Sequence, residues 1–85
     1  MTETVIKDSP SHIITDSKIC NGSPIVSGTK TTVRSIVTYI MQGSSPEQLI
    51  LKFPFLDLLD IYDALSFYLD NKELIDNEIK EDSNG

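Results

Sequence analysis

The sequence predicts a small, mainly helical domain in which three short helices, including a helix-turn-helix corner, follow a β element of two short strands. Two stretches, 33–40 and 58–69, repeat apolar residues at spacings of three and four, which is typical of amphipathic helices. Between them, residues 45–48 (Ser-Pro-Glu-Gln) form the strongest helix-start signal in the chain. Two β-branched runs, at 12–15 and 24–29, come before the helices and favour strands.

The β element consists of "HIIT" (12–15) and "PIVSGT" (24–29), separated by a turn-rich segment. Gly28 indicates either a bend with positive φ or a close approach of two backbones. An isolated two-stranded ribbon is only marginally stable in water. We therefore expect the ribbon to lie on the helices or to pair with a second chain.

The first two predicted helices have recognisable ends. Thr32 is the expected N-cap of the first helix, and Gly43 is its expected stop. Its apolar stripe is Val33, Ile36, Val37 and Ile40. Ser45 and Gln48 predict a capping box at the start of the second helix, and Pro54 forces that helix to end after barely two turns.

The third predicted helix starts at the N-cap Asp57 and has two distinct faces. The apolar face is Leu58, Ile61, Leu65 and Tyr68, widened by Tyr62 and Leu69, and the opposite face is Asp57, Asp60, Asp63 and Ser66. Three interpretations of the carboxylates remain open: a solvated surface, an interface for a basic partner, or a divalent metal site. The metal site is the weakest, because carboxylates three residues apart on one helix supply too few ligands.

Charge divides the chain into unequal parts. Residues 1–56 carry five basic and four acidic side chains, a net charge of +1, whereas residues 57–85 carry two basic and nine acidic ones, a net charge of −7. We predict a flexible leader at 1–11, a domain of β element and three helices at 12–70, and an acidic, partly disordered C-terminal extension at 71–85.

Three cations of the first part, Lys18, Lys30 and Arg34, are the candidate DNA-binding residues. Lys30 and Arg34 lie near the start of the first helix, where backbone N–H groups favour a phosphate. The alternative is a tight strand-to-helix turn with an exposed lysine. A third helix that carries carboxylates instead of Lys or Arg is unsuited to base recognition, so any DNA binding is expected to be weak.

The sequence offers no parts for an enzyme. His12 and Cys20 are its single histidine and cysteine, and no motif places a base beside a nucleophile. We therefore expect no catalysis, no cofactor and no bound metal. One cysteine without a partner, no secretory signal and no apolar stretch long enough for a membrane span favour the cytoplasm.

Several motifs occur together in a fixed order. They are Gly22-Ser23-Pro24 followed by Ile25 and Val26, Gly28-Thr29-Lys30, the capping turn 43–50, the Phe53-Pro54-Phe55-Leu56 corner, and Ala64-Leu65. Over residues 13–69 this combination resembles the small bacterial domain-of-unknown-function family 433. Lys30 stands where that family has Arg, and Thr31 and Thr32 replace an aliphatic residue and a Pro, so two-point recognition by a guanidinium is lost at residue 30.

The resemblance implies a homeodomain-like, three-helix helix-turn-helix fold and a role as the antitoxin of a toxin–antitoxin pair. The implied partner is a PIN-type ribonuclease toxin. We further expect a homodimer, with promoter DNA as a weakly bound additional ligand. A protein-interaction module on the same frame, with no DNA binding, is the alternative function.

The candidate partner-binding residues come from the aromatic, acidic and C-terminal parts of the chain. They are Phe55, Asp57, Asp60, Asp63, Phe67, Lys72, Leu74, Ile75, Ile79 and Lys80. The C-terminal members combine spaced apolar residues with a polar background, which is typical of a segment that folds on a partner.

Overall fold

The computed structural model describes residues 12–84, with side chains up to Glu81. A two-stranded ribbon is followed by four α-helices. The elements are β1 (Ile13–Ile14), β2 (Ile25–Val26), α1 (Val33–Met41), α2 (Pro46–Lys52), α3 (Leu58–Asp70) and α4 (Lys72–Asn84). Within this range no helix has the length and apolar character needed to cross a membrane. The predicted leader, 1–11, lies outside the described residues.

The predicted β element is confirmed as an antiparallel ribbon. Ile13 pairs with Val26 and Ile14 with Ile25, and the Ser27 amide donates to the His12 carbonyl at 2.6 Å. Ile25 and Val26 are both buried, so β2 anchors the ribbon to the helices. This packing meets the expectation that so short a ribbon needs further support.

Side chains at the helix starts form the predicted caps, because each cap depends only on residues three apart. The Thr32 hydroxyl accepts from the Ser35 amide at 3.2 Å at the start of α1. Ser45 and Gln48 form the capping box of α2, with bonds of 3.1 Å and 2.9 Å. Gly28 and Gly43 have φ values of 81° and 105°, which suit glycine at the bend after β2 and at the end of α1.

The core receives side chains from the ribbon and from all four helices. Its members are Val26, Val33, Ile36, Val37, Leu49, Leu56, Ile61, Ala64, Tyr68 and Ile75. The first helix lies centrally, since it packs against both α3 and α4. The burial of these apolar groups stabilises helices that would be marginal in isolation.

The fourth helix differs from the prediction of a partly disordered extension over 71–85. Lys72–Asn84 is helical, and Ile75, on its first turn, is fully buried. The acids around Ile75 gave this segment the composition of a solvated tail. One well-placed apolar contact with the core, together with the partly buried Ile79, is the physical reason for its order.

Candidate functional site

The helix α3 presents several large apolar side chains to solvent. Successive residues are about 100° apart around a helix axis, which places six neighbouring side chains within a sector of about 120°. They are the apolar residues Leu58, Leu59, Tyr62, Leu65 and Leu69, of which Leu65 is partly buried against the core, together with the exposed Ser66, and we call this set the apolar arc. Leu59, Tyr62 and Leu69 are 62%, 50% and 70% exposed. Side chains of this kind, gathered on one face, are typical of a protein-binding surface.

The inward side of α3 is narrower than the sequence predicted. Ile61 and Tyr68 are buried as expected, together with Ala64, whereas Leu58, Tyr62 and Leu69 of the predicted apolar stripe are exposed. Only part of the predicted apolar stripe of α3 therefore belongs to the core. The reason is geometric: the neighbouring helices cover one side of α3, so the rest of its wide apolar sector stays in contact with solvent.

Two carboxylates of α3, those of Asp60 and Asp63, lie on the flank covered by the β ribbon. Nδ1 of His12 contacts Oδ2 of Asp63, and its Nε2 lies 4.0 Å from Oδ1 of Asp60. Only 15% of the Asp60 side chain and 22% of the Asp63 side chain are exposed. Asp57 and Asp60 also cap α3 reciprocally, through two hydrogen bonds of 3.1 Å. Two of the three expected outward carboxylates are thus half-buried, because the ribbon, which comes from a distant part of the sequence, packs on this flank of α3.

Metal ligation has no support in the part of the chain that the structure describes. No group of three or more histidine, cysteine or carboxylate side chains there is arranged to hold an ion. Asp57 and Asp60 each use one carboxylate oxygen in a cap, which competes with the coordination of a cation.

The candidate DNA-binding residue Arg34 lies beneath the C-terminal helix. Its Nη1 donates to the Ser23 hydroxyl at 2.8 Å and lies 3.5 Å from Oε1 of Glu78 on α4. Arg34 lines a cleft of about 360 Å³ that also contains Glu81. A phosphate approaching this guanidinium would therefore meet two carboxylates. Lys18 and Lys30 are exposed, and the Lys30 carbonyl accepts from the Cys20 thiol at 3.5 Å.

The candidate partner-binding residues fall into two groups. Ile75, Ile79 and Phe67 pack within the chain, whereas Phe55, Leu74 and Lys80 are exposed. Phe55 extends an aromatic cluster at the α2–α3 corner, with its ring 6.0 Å from that of Phe53.

A small polar network fastens α4 to α3. The Tyr68 hydroxyl donates to Oδ1 of Asp76 at 2.8 Å and accepts from Nζ of Lys72 at 3.1 Å. The hydrogen bond to Tyr68 and the charge of Asp76 raise the pKa of Lys72. A raised lysine pKa means that the folded state favours the ammonium form. The resulting stabilisation is complete below the ordinary lysine pKa and is lost as the pH rises through the raised value.

Replacement of Tyr68 by phenylalanine tests this network. We expect Tyr68→Phe to bring the pKa of Lys72 down towards its ordinary value, because the hydroxyl is the largest cause of the shift. The measurement is a pH titration of the lysine amines by NMR, with the exposed Lys80 as internal reference. An unchanged titration of Lys72 in the variant would show that the hydroxyl has no such role.

The spacing of apolar residues in α3 did not predict that some of them would face solvent, although the sequence holds a signal for it. Nine of the thirteen residues of α3 are apolar, which is more than one buried face of a helix can accommodate. When the apolar part of a helix surface is wider than the area that can contact the core, some of its apolar side chains must be exposed. This width is the signal for the apolar arc.

The ribbon, the four helices and the arc define a small, mainly helical domain with an apolar candidate binding surface. Residues 13–68 match the family described as a protein of unknown function, DUF433, and the chain belongs to this family. It is similar to the crystal structure of a DUF433 member protein from Anabaena variabilis ATCC 29413, with 27% identity and a TM-score of 0.80. The similarity covers 92% of this chain and 77% of that one. No protein with a curated description matches the chain.

Proposed function

We propose that the protein is a non-catalytic, antitoxin-like binding protein that holds a PIN-type ribonuclease toxin in the cytoplasm. The observation that carries the binding role is the exposed apolar arc on α3. Surface apolar groups gathered on one helix face gain free energy when a partner removes them from water. The antitoxin role itself comes from the family resemblance of the sequence motifs.

A homeodomain-like arrangement of α1, α2 and α3 is part of this proposal. In such an arrangement α2 and α3 form the helix-turn-helix, and both the tight corner between them and the packing of α1 on α3 are compatible with it. The outward face of α3, where a DNA-binding protein would place its recognition side chains, is apolar here.

One structural observation favours the second candidate, an interaction module that binds no DNA. Glu78 of α4 lies beside Arg34, and the cleft around the guanidinium is lined by a further carboxylate, Glu81. DNA affinity depends on cations that replace the counterions of phosphates, and a cation already paired with a carboxylate contributes little to that exchange. On this argument, protein binding is the primary function and DNA binding is secondary.

Co-expression with the product of a neighbouring toxin-like reading frame tests the proposal. We expect a stable complex that survives size exclusion and suppresses ribonuclease activity. The double variant Leu59→Ser/Leu69→Ser is expected to lose the complex, whereas Met41→Ser, which changes an exposed residue of α1, is expected to retain it. Purification of the two proteins without any association would refute the antitoxin role.

A promoter fragment separates the two candidates. A mobility shift that weakens with salt, and that disappears in Lys30→Ala/Arg34→Ala, would support DNA binding. No shift at low salt would support the interaction module. Sedimentation of the isolated wild-type protein would test the predicted homodimer.

A further inference from the structure

We infer that the apolar arc of α3 docks a basic amphipathic helix of a partner protein. This inference rests on the proposed binding function and adds the chemistry of the partner segment. The occupant is identified by two properties of the surface, its helical shape and the sign of the charge along its border.

The shape of the arc suits a helix. Its members lie along the thirteen residues of α3, a length of about 20 Å, at spacings of three and four. Ser66, the smallest member, lies along the helix between Tyr62 and Leu69, and its side chain is shorter than both of theirs. Apolar residues at i, i+4 and i+7 of a second helix can pack between such ridges.

The border of the arc is acidic. Asp70, which is exposed, lies next to Leu59 around the helix axis, which places its carboxylate along one edge of the arc. Asp57 lies at the start of α3, and Glu73, on the first turn of α4, lies beyond its end. Segment 57–85 as a whole carries a net charge of −7. Lys or Arg side chains that flank the apolar face of a partner helix would complement this border.

The same charges argue against a second copy of the chain as the occupant. Two arcs brought together would place the carboxylates of both copies at one interface, and like charges at close distance oppose association. A basic helix gains from these carboxylates instead. The two occupants therefore differ in a measurable way: one gives self-association, and the other gives binding of a basic peptide that weakens with salt.

Two synthetic peptides of about 18 residues provide the probes. One places leucines at i, i+3, i+4 and i+7 with lysines elsewhere, and the other replaces each lysine by glutamate. We expect fluorescence anisotropy to show binding of the Leu/Lys peptide that weakens with salt, and at least tenfold weaker binding of the Leu/Glu peptide. Leu59→Ser/Leu69→Ser is expected to weaken binding of the Leu/Lys peptide about tenfold, a change of about 1.4 kcal/mol.

Two controls make the result specific to the arc. Met41→Ser alters a side chain that is 58% exposed on another helix. The affinity of this variant for the Leu/Lys peptide is therefore expected to stay within about twofold of wild type. Circular dichroism should show that all variants keep their helices, because the altered residues are exposed. Asp70→Asn, at the border, is expected to reduce the salt dependence without abolishing binding.

Several outcomes would overturn the inference. They are equal affinities of the two peptides, equal affinities of wild type and the double variant, and a wild-type dimer that the double variant abolishes. The last would identify a second copy as the occupant. If the toxin complex does not form but the Leu/Lys peptide still binds specifically, the toxin is refuted as the partner and the docking site stands. Retention of the toxin by the double variant, without specific peptide binding, would refute the docking site alone.

Discussion

Replacement of Ile75 by alanine is expected to remove about 2–5 kcal/mol from the free energy of unfolding, because it leaves a cavity where a fully buried side chain stood. The net stability of a domain of this size is on the order of 5 kcal/mol. The variant should therefore be partly unfolded at room temperature. Urea unfolding followed by circular dichroism measures the effect as a lower midpoint with an unchanged slope.

The adjacent residue supplies the matched control. Leu74 is on the same helix and is 46% exposed, so Leu74→Ala is expected to change the free energy of unfolding by no more than about 0.5 kcal/mol. The difference between the two alanine variants isolates the burial of Ile75 from any effect of helix propensity. Equal effects of the two substitutions would mean that α4 does not pack on the core.

Ile61→Ala is expected to be similarly destabilising, at about 2–5 kcal/mol, since Ile61 is fully buried on the inward side of α3. A decrease of 1 kcal/mol in the free energy of unfolding lowers the melting temperature of a domain this small by roughly 4–8 °C. We therefore expect a decrease of at least about 8 °C by differential scanning calorimetry.

Leu59, two residues before Ile61, tests the orientation of the same helix. It lies on the apolar arc, and Leu59→Ala is expected to leave the melting temperature within about 4 °C of wild type. A large decrease for Leu59→Ala and a small one for Ile61→Ala would mean that α3 is rotated, with the arc inside the core. The docking surface would then not exist.

The local features of the fold were predictable because each depends on neighbouring residues. Thr32, Ser45 and Asp57 are N-caps as expected, since a cap requires only a side-chain oxygen and an amide two or three residues later. The ribbon was predictable because two β-branched runs flank a turn-rich segment of the sequence.

The candidate site was predictable only in part. The sequence identified its aromatic and acidic residues. It predicted, however, that the carboxylates of α3 would face solvent. Asp63 is instead half-buried beside His12, and the outward face holds Tyr62 and Leu69. The carboxylate flank is covered by a ribbon from a distant part of the sequence, and such a contact leaves no local pattern.

By itself the sequence determined where the first three helices begin, that the two strands pair, and that the negative charge lies in the last third of the chain. Only the tertiary structure decided which side of α3 is buried and that Lys72–Asn84 is ordered. The physical reason is the range of the interactions. Caps and turns act over about three residues, whereas the burial of Ile61 and Ile75 depends on surfaces that distant segments bring together.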